Sequence, residues 1–171
     1  MADARAQVRA GSRNTASRPT SRPHVPTWLP ITSLILAVAG LGASIYLTYE
    51  HFTQNSTLAC AANSVINCAA VTTSAQSKVF GIPVAVLGLV FFVAIIPACL
   101  PAAWRINTRW MRWGRIAAVT VGIGFVFYLV SAELFEIRKI CEWCTGVHIL
   151  TIALFGVVLF GTASLDPIDD K

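Results

Sequence analysis

Residues 141–164 read CEWCTGVHILTIALFGVVLFGTAS, a pair of cysteines followed by an apolar run with no charge between Glu142 and Asp166. A run of this kind is what a helix needs to cross about 30 Å of hydrocarbon, for which roughly 17 to 25 residues suffice. Working outward, three more windows lack Asp, Glu, Lys and Arg: between Arg22 and Glu50, between Lys78 and Arg105, and between Arg115 and Glu133. The spacing predicts helices near 29–50, 81–101, 114–136 and 145–164. Composition points the same way, since 56% of the 171 residues are hydrophobic and 12% charged, with a mean hydropathy of +0.67. A soluble domain carries about 25% charged residues, so water is not the main solvent of this chain. The expected fold is all-α: an integral membrane four-helix bundle of one domain, 28–165. A basic arm at 1–27 precedes it and a short tail at 166–171 follows.

The stretch from His51 to Ser77 is uncharged but rich in Thr, Ser, Asn, Gln and Ala. Its backbone groups would go unsatisfied in lipid, so it reads as a long loop outside the hydrocarbon, between the first and second helices. With four spans, both termini and the loop after the second helix share one side. Those segments hold Arg5, Arg9, Arg13, Arg18, Arg22, Arg105, Arg109, Arg112, Arg115 and Lys171, against Lys78, Arg138 and Lys139 on the other. The asymmetry predicts cytoplasmic termini and argues against a nucleic-acid face, because the basic residues cluster by loop. The arm lacks the apolar core of a secretory signal and reads as a disordered cytoplasmic segment, although organellar transit peptides share its Arg-rich, acid-poor look.

This orientation puts four of the five cysteines outside the cytoplasm, in the compartment that permits disulfides. Cys60 and Cys68 fall in the first outer loop, and Cys141 and Cys144 at the mouth of the fourth helix. Cys99, near the inner end of the second helix, reads as a small apolar packing residue. Two sulfurs at C-x-x-C spacing close a short ring that opens readily, and a helix start favours the thiolate, so the Cys141–Cys144 pair looks reactive. A zinc site would use a second C-x-x-C or a Cys/His pair, and c-type haem would need His where Thr145 stands. No metal is therefore assigned. Two inert disulfides tying the loops together remain an alternative.

Several separated features, taken in order, resemble the vitamin K epoxide reductase family in its small bacterial form. They are Gly40-Leu41-Gly42-Ala43-Ser44-Ile45-Tyr46-Leu47-Thr48-Tyr49 at the end of the first helix; Cys60, seven residues and Cys68; Ser74; Phe80-Gly81-Ile82-Pro83 opening the second span, with Leu87-Gly88 inside it; and the final C-x-x-C. The resemblance implies a four-helix bundle around a membrane quinone (menaquinone, ubiquinone or phylloquinone). Two cysteine pairs would pass electrons toward that quinone. Cys60 would meet the partner protein, Cys68 would exchange with Cys141, and Cys144 would lie beside the quinone ring, with Ser74 near both the quinone and the exchange path.

Two positions depart from the family. Members often carry a polar residue, commonly Asn, where this chain has Val84, and the vertebrate members have Tyr where it has His148. His148 could donate the missing hydrogen bond to a quinone carbonyl or simply face interfacial water. Val84, Leu87 and Phe91 share one helical stripe and could wall the quinone pocket or serve only in helix packing. Gly40, Gly42 and Ser44 read as close-packing positions. Glu133 and Glu136, at the outer end of the third helix, read as interfacial charges without chemistry.

The implied activity is thiol oxidation at a bacterial cytoplasmic (inner) membrane. A reduced thioredoxin-fold protein, DsbA-like and extracytoplasmic, would open Cys60–Cys68; Cys68 would then attack the Cys141–Cys144 disulfide, and quinone would restore the disulfides. A mobile loop would bring the pairs into contact. Some relatives carry a fused thioredoxin-like domain, but the chain stops at Asp166-Pro167-Ile168-Asp169-Asp170-Lys171, so the partner is expected to be separate. Chain order argues against a DsbB-like oxidase, whose C-x-x-C comes in the first outer loop. The alternatives are a quinone epoxide reductase running in the reductive direction and a non-catalytic membrane protein with structural disulfides.

Overall fold

The computed structural model describes residues 25–53, 60, 63–106 and 108–164. The tail expected at 166–171, and the arm expected at 1–27 apart from its last three residues, lie outside them. In chain order the elements are α1 (Trp28–Thr53), α2 (Cys68–Thr72), a 3-10 turn (Ala75–Ser77), strands β1 (Lys78–Val79) and β2 (Ile82–Pro83), α3 (Val84–Cys99), α4 (Pro101–Arg105), α5 (Arg109–Ser131), a π-helical turn (Ala132–Ile137) and α6 (Glu142–Ser164). Three helical stretches, Trp28–Thr53, Arg109–Ile137 and Glu142–Ser164, are long and apolar enough to cross a membrane; Val84–Cys99 is apolar but shorter.

The second expected helix is shortened at both ends, and local chemistry explains each. Phe80 and Gly81 take positive φ (51° and 80°), and that turn closes a hairpin in which Lys78 pairs with Pro83 and Val79 with Ile82. The helix therefore starts at Val84 rather than 81. At the other end, Pro101 forces Leu100 into an extended conformation (φ −60°, ψ 144°) and the chain restarts as α4. The break exposes carbonyls, and a buried cation answers them. The Arg115 guanidinium donates to the Ala98 carbonyl at 3.0 Å and the Ala103 carbonyl at 3.2 Å, and lies 3.9 Å over the Trp104 ring. Freed backbone groups buried away from water require such partners.

The helix α1 packs against α3 and α6, and α5 against α6. Its buried face carries Ser33, Ala37, Gly40, Ser44 and Leu47 at alternating intervals of four and three, and the first four are small enough to let neighbouring backbones approach. A Cβ at Gly40 would sit 2.2 Å from the Phe92 ring, and one at Gly88 would sit 3.2 Å from Ser44 Oγ. The core joins Ala37, Phe92, Ile95, Cys99, Trp104, Val119, Leu154 and Val158, so Cys99 is a packing residue. Outside, Ile35, Ile45, Val90, Val121, Phe127, Ile152 and Phe160 are exposed. An apolar exterior of this extent suits hydrocarbon, not water.

Candidate active site

The two cysteine pairs meet because the loop between α1 and α2 docks on the entrance to α6. Asn63 turns the loop by accepting from the Val65 and Ile66 amides at 2.8 and 2.7 Å. The following residues run parallel to Ile140: the Asn67 amide donates to the Ile140 carbonyl at 3.1 Å, and the Ile140 amide to the Val65 carbonyl at 3.0 Å. Lys139 adds a bond to the Ser64 carbonyl. Asn67 then caps α2 through the Ala70 amide at 3.0 Å, which puts Cys68 in the first turn. In this structure the described part of the loop is held against its target by backbone bonds.

Cys60 and Cys68 are joined in a disulfide with Cα atoms 6.3 Å apart, while Cys141 and Cys144 are free thiols. Cys68, Val71 and Cys141 form one buried cluster, with Cys60, Ile137, Trp143 and Cys144 packed around it. Cys141 is fully buried just ahead of α6, and its Sγ accepts from the Cys144 amide at 3.3 Å. The hydrogen bond from the Cys144 thiol pulls the Cys141 thiol below its ordinary pKa, helped by the Cys144 and Trp143 amides, against burial and the Glu133 charge. The start of α6 thus prepares one sulfur of the pair as the better thiolate.

Below the pair lies a cavity of about 340 Å³. Helix α3 lines it with Val84, Leu87 and Phe91; α6 adds Cys144, His148 and Thr151. Ser74 reaches it from the loop, and Ser44 and His51 from α1. All six residues singled out from sequence as ligand contacts, namely Cys144, Ser74, His148, Val84, Leu87 and Phe91, therefore share one cavity. His148 is buried rather than turned to the interface. Ser74 also has a structural duty: its hydroxyl donates to the Val71 carbonyl at 2.8 Å and accepts from the Ser77 amide at 3.2 Å. Gly122 keeps the wall thin, since a Cβ there would lie 2.9 Å from Phe91 and 3.2 Å from Thr151.

Glu133 corrects the sequence reading. It is 6% exposed, lines the cavity and receives a hydrogen bond from the Cys141 amide, whereas Glu136 stays exposed and accepts from Gln76. The π-helical turn Ala132–Ile137 sets which of the two faces inward. One turn of i→i+5 bonding shifts the phase of every later side chain, and such turns recur at functional sites. The available signal was an acidic residue at the end of an apolar helix, close before the C-x-x-C.

The family model for vitamin K epoxide reductases matches residues 31–159. The chain belongs to the vitamin K epoxide reductase family. The match runs from the first turn of α1 to Leu159 in α6 and so contains both cysteine pairs and every cavity residue named above. Membership makes the protein a membrane thiol–disulfide oxidoreductase of the vitamin K epoxide reductase family. Cys60, Cys68, Cys141 and Cys144 and the cavity beneath them form the candidate site for that chemistry.

Proposed function

We propose that the protein is a thiol oxidase that takes electrons from a separate, extracytoplasmic thioredoxin-fold (DsbA-like) protein and delivers them to a membrane quinone. The observation that carries this reading is the position of Cys144. It is hydrogen-bonded to Cys141 within the cluster that contains Cys68, and it also lines the apolar cavity. The partner's thiolate attacks Cys60, freeing Cys68. The Cys68 thiolate then attacks Cys141 of an oxidised Cys141–Cys144 pair, displacing Cys144, and exchange goes on until that pair holds the two electrons.

The cavity fits a quinone headgroup. Val84, Leu87 and Phe91 offer an apolar wall, and the few polar groups stand at the cysteine end. The Ser74 hydroxyl proton is committed to Val71, so His148 is the better N–H donor to a carbonyl oxygen. When bound, quinone supplies the acceptor for two electrons and two protons.

The reading includes four spans, the second completed across the Pro101 break as Val84–Cys99 plus Pro101–Arg105, and the cysteines on the extracytoplasmic side by the Lys/Arg asymmetry. Its test is quinone-dependent loss of thiols. The protein is reduced, freed of reductant and given a quinone anaerobically, and free thiols are counted by mass-tag alkylation. Thiols should vanish in pairs with quinone alone, and Cys144→Ala should stop it; loss at equal rate without quinone would overturn the assignment.

A further inference from the structure

The oxidation proposed above leaves protons to be placed. Closing the Cys141–Cys144 disulfide breaks two S–H bonds, forms one S–S bond and releases two electrons and two protons; a quinone accepts all four and leaves as quinol. Cys141 is fully buried, so its proton needs a carrier inside the protein.

Among the described residues, three titratable side chains besides cysteine line the cavity: His51 from α1, His148 from α6 and Glu133 from the π-helical turn. Helix α3 contributes only apolar residues to the lining. Of the three, Glu133 is the one tied to the sulfurs. Its carboxylate receives the Cys141 amide hydrogen bond, and its charge acts on both Cys141 and Cys144. Glu136, on the same turn, is exposed and bonded to Gln76, and Glu50 is buried on α1 but does not line the cavity.

We propose that the Glu133 carboxylate is the proton-transfer group of this site, taking a proton from the Cys141–Cys144 pair as its disulfide closes and yielding it to a quinone oxygen in the cavity. A π-helical turn that points a carboxylate inward beside a dithiol and an apolar cavity gives the proton a short path from sulfur to ligand. Glu133 then returns to the carboxylate form, ready for the next cycle. This rests on the quinone reading above.

The experiment compares Glu133→Gln, Glu133→Asp and Glu136→Gln in the purified full-length protein with two readouts. The first needs no quinone: thiolate absorbance of the reduced pair is followed against pH. Removing the Glu133 charge should move thiolate formation to lower pH in Glu133→Gln and leave it in place in Glu136→Gln, which also shows that the site has folded. The second is anaerobic oxidation of the reduced pair by a soluble benzoquinone bearing a short isoprenoid chain. It should fall about 100-fold in Glu133→Gln, in the range that positioned acid–base groups contribute, recover in part in Glu133→Asp, and stay within twofold in Glu136→Gln. If the wild type oxidises with the quinone and Glu133→Gln keeps its rate, or if thiolate formation does not move, the proposal falls while the quinone reading stands. A wild type inert to quinone overturns both.

Discussion

Replacing Gly40 by alanine should cost about 2 kcal/mol, because the added methyl enters the Phe92 ring. The Cβ would lie 2.2 Å from both Phe92 Cε1 and Cζ, so the ring or the helix must retreat by more than an ångström to reach ordinary contact. Phe92 is 1% exposed and its neighbours Ala37 and Leu154 are fully buried, which leaves little room to retreat. Overpacking of a closed core costs about 1–3 kcal/mol, and for a chain of this size about 2 kcal/mol lowers the melting temperature by roughly 4–8 °C. Phe92 also packs edge-on against Phe91 with centroids 5.1 Å apart, so the displacement is passed to the cavity wall.

Gly42 is the control. Nothing lies within 4 Å of a Cβ there, and Gly42→Ala should be neutral or stabilising by up to about 1 kcal/mol through helix propensity. The assay is thermal unfolding in detergent, read by a thiol-reactive dye on the buried Cys99 with the other four cysteines oxidised. Phe92→Leu removes the clashing ring atoms, so the Gly40→Ala/Phe92→Leu pair should lose less than the sum of the single changes. If Gly40→Ala melts within a degree of the wild type, or Gly42→Ala falls as far, close helix approach is not the reason for the glycine.

Two further outcomes bear on the relay. In a Cys60→Ala/Cys144→Ala variant, mild oxidation should join Cys68 to Cys141, which share a buried cluster; peptide mapping that finds intermolecular dimers or persistent thiols instead would refute their proximity. The second concerns pH. The Cys141 thiol is lowered chiefly by the Cys144 hydrogen bond, so the reduced protein gains stability above the lowered pKa and loses that gain as pH falls through it. The Cys141–Cys144 midpoint potential should accordingly change by about 59 mV per pH unit below that pKa and about 30 mV per unit just above it, one proton fewer being exchanged. A slope that holds at about 59 mV up to the ordinary thiol range would contradict the shift.

Much of this protein is legible as one-dimensional pattern. Charge-free windows mark the helices, because an apolar stretch of that length has one stable arrangement in hydrocarbon, and all the long helices stand near their expected places. Proline and glycine chemistry at Phe80–Gly81 and Leu100–Pro101 accounts for the trimmed second helix. The C-x-x-C at a helix mouth marks reactive sulfur, since the amides that favour a thiolate come from the next few residues of the same segment.

What the fold alone decided is what meets what. Cys68 and Cys141 come together through a parallel pairing of Ile66 with Ile140, a contact between distant segments that no local spacing encodes. Glu133 read as an interfacial charge and Arg115 as one of the basic residues that set orientation, yet both are buried. The π-helical turn aims the first at the Cys141 amide, and the broken α3–α4 junction supplies carbonyls for the second. Periodicity reports which way a residue points on its own helix; burial and proton transfer depend on the other helices that close around it.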